Sequence, residues 1–211
     1  HPAYVHGMFA TYFRAAGGQF DGGLREGRAP KNGAPFAVME SAPLYDIVRD
    51  VNKLSNNVMA RQIFLTLATT RYPPPATPAL AADAVQRWLK DRKVAMSGLV
   101  LENGSGLSRR ERASANGLVR LLASADHSPV REEFASSLAV AALDGTLQRR
   151  FRDGTVAGQA LLKTGSLEGV RALAGYVIDA EGRRFVVVAI VNHANADKAQ
   201  AALEFLVQWV Y

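Results

Sequence analysis

The chain has 211 residues, 48% of them hydrophobic, no cysteine and a formal net charge of +6. That length suits one domain or two small ones with a real core, and the missing cysteine excludes disulfides, thiolate catalysis and Cys-based zinc sites. The arginines are scattered, as in Arg109-Arg110, Arg149-Arg150 and Arg183-Arg184, so the basic balance predicts a solvated surface and no nucleic-acid partner. The opening His1-Pro2-Ala3-Tyr4 does not read as a signal peptide, which leaves the compartment open. The longest apolar run, Phe185 to Val191, is strand-sized, well short of the roughly 18–20 residues that span a membrane.

In chain order, Tyr4 to Ala16 is predicted as a helix whose Tyr4, Met8, Phe9, Tyr12 and Phe13 form one stripe, expected to be core. Gly17-Gly18 ends it, and a Gly- and Pro-rich stretch to Pro35 reads as loop. Phe36 to Met39 is strand-like. Ser41-Ala42-Pro43 opens a helix with Leu44, Ile47, Val48 and Val51 on one face. Ser55-Asn56-Asn57 interrupts it, and a second helix runs to about Thr70. Small polar residues at such a junction cap helices, so Ser55 or Asn57 is a candidate N-cap. Tyr72 to Pro78 is a stiff linker, and Thr77-Pro78 opens a helix to Lys93. Leu99 to Leu101 is a short strand. Glu102 to Arg109 is a Gly-rich turn without phosphate-loop spacing, in which Asn103 and Ser105 shape the turn. Ser114 to Ser124 and Val130 to Leu143 read as helices, with Gly145 closing the second. Arg171 to Ile178 and Arg183 to Asn192 form a hairpin around a Gly turn. The second of these strands lacks alternation, so both its faces should be covered. Ala196 to Tyr211 is an amphipathic helix with Ala199, Leu203, Leu206, Val207 and Val210 on one side, expected to pack on the sheet, with Trp209 in the packing.

The chemistry concentrates in two triplets, Ser55-Asn56-Asn57 on the helical junction and Lys163-Thr164-Gly165 on a strand edge, 108 residues apart. An acyl-transfer serine enzyme needs a nucleophile, a proton route to the leaving group, an oxyanion hole and an anchor for the substrate. Ser55 can relay a proton and Asn57 can bond a substrate amide. Lys163 supplies positive charge, Thr164 can donate to a carboxylate, and Gly165 lets a peptide approach as an added strand. The Ser166 N–H would face the developing oxyanion. S-D-N and K-T-G accompany an S-x-x-K nucleophile motif in penicillin-interacting serine enzymes, yet none of the 11 serines has a lysine three residues on. The histidines, His1, His6, His127 and His193, lack metal-ligand spacing, and Asp126-His127-Ser128 is a triad in letters only.

Leu44 to Asn57 resembles the segment around the second motif of class C penicillin-binding proteins, the S13 D-alanyl-D-alanine carboxypeptidases/endopeptidases. Glu102-Asn103-Gly104-Ser105-Gly106-Leu107-Ser108-Arg109 and Leu162 to Leu167 resemble two further stretches of that family, in the same order. The resemblance implies an α/β (α+β) penicillin-recognising fold: an antiparallel sheet carrying the C-terminal helix, beside a mostly helical subdomain. It implies Ser55, Asn57 and Lys163 as catalytic residues, Thr164, Gly165 and Ser166 as substrate-binding, and Arg109 as lining the groove. It implies hydrolysis of peptidoglycan stem peptides ending in D-Ala-D-Ala, acylation by β-lactams, a periplasmic setting, and neither metal nor cofactor. An anionic cell-wall polymer or a peripheral membrane contact would suit the charge. The family's S-x-x-K lies far upstream of S-x-N. Residues 1–211 are therefore expected to be the C-terminal portion of the penicillin-binding domain, partnered by the missing N-terminal part and inactive alone. The alternative is a non-catalytic peptidoglycan-binding module.

Overall fold

The computed structural model describes residues 1–28, 32–35, 37–152 and 154–211, which fall into two compact units, His1–Ser41 and Ala42–Tyr211. The first carries helix α1 (Pro2–Ala15), ended by Gly17 at φ +88°. Its aromatic stripe is not core. Tyr4 and Tyr12 are 67% and 68% exposed, and only Ala10 is buried on the helix. Phe9, Phe13 and His6 gather instead around Phe20. So short a unit holds too little apolar surface to cover the rest. Phe36 lies outside the described residues, and the remainder of the predicted strand, residues 37–39, is irregular, with Val38 and Met39 exposed.

The second unit is built on a four-stranded antiparallel sheet in the order β1 (Ala139–Val140), β2 (Ala160–Leu167), β3 (Val170–Ile178), β4 (Arg184–Asn192). Period-two alternation sends β-strand side chains to opposite faces. One face, with Leu162, Leu173, Val177 and Val187, meets Leu203 and Val207 of the C-terminal helix α7 (Gln200–Val210). The other, with Leu161, Ala174, Tyr176 and Val188, meets Leu122 of α5 (Ala115–Asp126) and Phe134 and Ala135 of α6 (Arg131–Ser137). Both faces of β4 are thus covered, as its unbroken apolar run required. Tyr176 is buried and donates to the Leu122 carbonyl at 2.7 Å.

Three expectations change. The helix predicted over Val130 to Leu143 stops at Ser137, and Ala139–Val140 pair with Leu162–Leu161 as a short edge strand. Ala139 and Ala141 have no exposed surface, so burial against the sheet overrides the helical preference of alanine. Leu99 to Leu101 makes only an isolated bridge, Val100 to Arg112. Trp209 is 73% exposed, outside the packing. The remaining helices are α2 (Leu44–Leu54), α3 (Asn57–Ala68) and α4 (Pro78–Asp91), the last two packed through Phe64, Ala68 and Ala81.

Candidate active site at the edge of strand β2

The site begins where α2 gives way to α3. Ser55 ends α2 in the left-handed conformation, φ 56°, ψ 46°. The cap of α3 is Asn56, not Ser55 or Asn57: its Oδ1 accepts the Met59 N–H at 3.0 Å. With capping assigned to the middle residue, the flanking side chains are free for other work. Asn57 Nδ2 donates to the Ser105 carbonyl at 2.6 Å, tying α3 to the Glu102–Arg109 turn. That turn is pinned from within. Glu111 Oε1 accepts the N–H groups of Glu102, Asn103 and Gly104, each at 3.1 Å, so these donors are committed to the protein. Gly104, at φ +68°, lies against Phe64 with no room for a Cβ.

Strand β1 covers β2 only at Leu161 and Leu162. From Lys163 onward β2 is, among the described residues, a free edge backed by β3, with Lys163 opposite Ala174 and Gly165 opposite Ala172. Lys163 Nζ donates to Ser55 Oγ at 2.8 Å and to the Thr164 carbonyl at 3.0 Å, closing the 108-residue gap. Burial pushes the Lys163 ammonium below the ordinary lysine range. Between the edge and the helical junction runs a groove of about 430 Å³, whose lining includes Ser55, Asn57, Ser105, Lys163, Thr164 and Ser166. Gly165 also lines it, and a methyl there would sit in ordinary contact 3.5 Å from Ala172 Cβ. The fold itself therefore tolerates a side chain at 165, and the glycine matters for what enters the groove.

Arg109 stands apart from these residues. It donates to the Glu168 carbonyl at 2.6 Å, pairs with the Glu168 carboxylate at 3.3 Å, and lines a neighbouring groove with Leu167 and Ile190. Asn103 and Ser105 shape the turn, accepting the N–H groups of Ser105 and Leu107. Asp126, His127 and Ser128 diverge: they bond Arg184, the Ala123 carbonyl and the Ala125 carbonyl.

Sequence reasoning missed Thr146. It lines the groove in the 3-10 turn Gly145–Leu147, and the Thr164 hydroxyl lies 3.0 Å from its own. Gly145 was expected only to close a helix. The signal was the polar Asp144-Gly145-Thr146 between Leu143 and Leu147, a turn signature directed at an unknown neighbour. Among the described residues no cluster of three metal-ligating side chains occurs, and no helix is long and apolar enough to cross a membrane.

The antiparallel sheet with its packed helices, and the groove between its edge and the α2–α3 junction, make up a penicillin-binding-protein fold, as two solved structures show. The structure matches penicillin binding protein 4 (dacB) of Haemophilus influenzae with a TM-score of 0.81 and 27% identity, covering 100% of this chain and 48% of that one. The same protein solved with a β-lactam matches with a TM-score of 0.80. The chain belongs to the D-Ala-D-Ala carboxypeptidase 3 (S13) family, whose model matches residues 1–210. It is 28% identical to the D-alanyl-D-alanine carboxypeptidase DacB of Haemophilus influenzae over 90% of this chain and 40% of that protein. It is 36% identical to the carboxypeptidase DacB of Mycolicibacterium smegmatis over 78% of this chain and 37% of that protein. The chain thus spans about two fifths of the length of these relatives.

Proposed function

We propose that this chain is the part of a serine-type D-Ala-D-Ala carboxypeptidase/endopeptidase that binds the stem peptide and moves the proton, acting on peptidoglycan in the periplasm. The nucleophile comes from an S-x-x-K portion outside these 211 residues, since none of the 11 serines here is followed by lysine at that spacing. The observation that carries the reading is the 2.8 Å bond from Lys163 to Ser55 beside an open strand edge. Ser55 Oγ accepts from the lysine, so its own hydroxyl proton is available for the leaving amine, and Lys163 replaces it. Burial lowers the cost of that transfer by weakening the ammonium's hold on its proton. Asn57 commits its amide N–H to Ser105, leaving Oδ1 to accept the substrate amide. Thr164 donates to the terminal carboxylate, the peptide adds along the β2 edge at Gly165, and the Ser166 N–H meets the oxyanion. Arg109, held on Glu168, lines the neighbouring groove and takes no part in this step. β-Lactams enter by the same route.

The test is intact-mass analysis with benzylpenicillin, on the chain alone and mixed with the S-x-x-K portion of the parent protein. An adduct on the added portion, formed only when both are present, is expected. A stable adduct on any serine of this chain would overturn the division of labour. No adduct with both parts present, but binding of the peptide, would favour a non-catalytic peptidoglycan-binding module.

A further inference from the structure

We propose that Thr146 is a further carboxylate-binding residue, held in place by an Asp144–Lys53 clasp that joins the S-x-N helix to the K-T-G strand. The proposal rests on the reading of Thr164 as the anchor for a free peptide terminus. Lys163 directs two of its three N–H groups to Ser55 Oγ and the Thr164 carbonyl. Recognition of the incoming carboxylate therefore falls largely on hydroxyls. Thr164 does not present an isolated hydroxyl: its Oγ lies 3.0 Å from that of Thr146, and both residues line the groove. Two hydroxyls joined by one hydrogen bond hold two protons, of which only one lies between them. Thr164 donates to Thr146 Oγ, so when a carboxylate arrives either Thr146 donates onward to it or each hydroxyl donates to one carboxylate oxygen. In both arrangements the pair offers more than either alone, because hydrogen bonds in a chain polarise one another and bonds to a charged acceptor are the stronger kind.

The position of Thr146 is set from the Ser55 side. Asp144 Oδ2 accepts Lys53 Nζ at 2.6 Å while Oδ1 accepts the Val140 N–H at 2.8 Å. Lys53 also donates to the Leu138 carbonyl at 2.9 Å. Gly145 follows at φ +54°, so close to α2 that a Cβ would stand 2.6 Å from the Lys53 carbonyl oxygen and 2.9 Å from Ala139 Cβ. Only glycine fits there, and it delivers the next residue, Thr146, to Thr164. Lys53 is two residues before Ser55. The segment Asp144-Gly145-Thr146 thus connects the two motifs that the groove brings together.

The measurement is an NMR titration of the 211-residue chain with N-acetyl-D-Ala-D-Ala and with its C-terminal amide. The wild type is expected to prefer the acid. Thr146→Val should lower the acid-to-amide preference roughly ten- to a hundredfold, the range for losing one hydrogen bond to a charged group, with weaker change in amide binding. Thr146→Ser should restore it. Thr146 is exposed on the groove surface, so the substitution leaves the core untouched, and Thr146→Ala repeats the test without a branched side chain. A Thr146→Val chain that keeps the wild-type preference, or a serine variant that fails to restore it, overturns the assignment while leaving the Thr164 anchor standing. A wild type that does not prefer the acid removes the carboxylate anchor, and the role of Thr146 with it.

Discussion

At the scale of the residue, Lys163 carries the argument. Its triplet is a common one, and its meaning comes from the hydroxyl it reaches. Burial disfavours its charged form in the folded state, so its pKa lies below the 10.5 of an exposed lysine. Between the lowered value and 10.5 the unfolded chain binds more protons, and stability must rise with pH across that window. Below the folded pKa both states are protonated and the destabilisation is complete. Tyr176 acts in the opposite sense but later: burial raises it to about 12, so its contribution is lost only as pH climbs past the ordinary tyrosine value of 10.0. Urea unfolding of wild type and Lys163→Met across the alkaline range separates the two. The wild type should gain stability relative to the variant as pH rises toward 10.5, and parallel curves would show that Lys163 is not desolvated.

At the scale of the element, the free edge of β2 is what makes a site of the motif. The edge exists because β1 begins only at Ala139, opposite Leu162, so that among the described residues β2 is held in register by β3 alone from Lys163 onward. Gly175 is the tightest point of that pairing. It lies opposite Leu162 at φ +154°, and a Cβ there would fall 2.1 Å from the Leu161 carbonyl oxygen. Gly175→Ala should cost about 3 kcal/mol, from overpacking and an unfavourable backbone. It should also disturb the Lys163 side-chain resonance, because Leu161 and Lys163 share a strand. A urea midpoint within error of wild type would mean that β2 can move without penalty. Asn56 makes the complementary point for helices: by capping α3 it leaves Ser55 in a left-handed turn and Asn57 facing the groove.

At the scale of the whole molecule, the chain is two units with unequal cores. His1–Ser41 exposes most of its large apolar side chains, while Ala42–Tyr211 buries both faces of its sheet. Regions with few buried contacts open and are cleaved first. Limited trypsin digestion is therefore expected to cut first at Arg25 or Arg28, both exposed in a stretch without helix or strand. It should leave a product that retains residues 42–211 with an unchanged thermal midpoint. Early cleavage within 42–211, or a lowered midpoint of the product, would show that the larger unit depends on the smaller.

The sequence by itself determined the period of each main element: the helices on either side of Ser55, the β3–β4 hairpin and the C-terminal helix that covers its sheet. Local spacing carries that information, since turn residues and apolar periodicity act within a few positions. It also determined the family, because three ordered motifs resemble it and the family model matches residues 1–210. Where chain-wide burial competes with local preference the sequence misled, as with Ala139 and Ala141, the aromatic stripe of α1 and Trp209. Only the tertiary structure decided which of Ser55, Asn56 and Asn57 caps a helix, that Arg109 pairs with Glu168, and that Thr146 stands beside Thr164. The Arg109–Glu168 and Thr146–Thr164 contacts join residues apart in the chain, which no local pattern encodes, and the Asn56 cap, though local, was one of three adjacent small polar candidates that spacing alone does not rank.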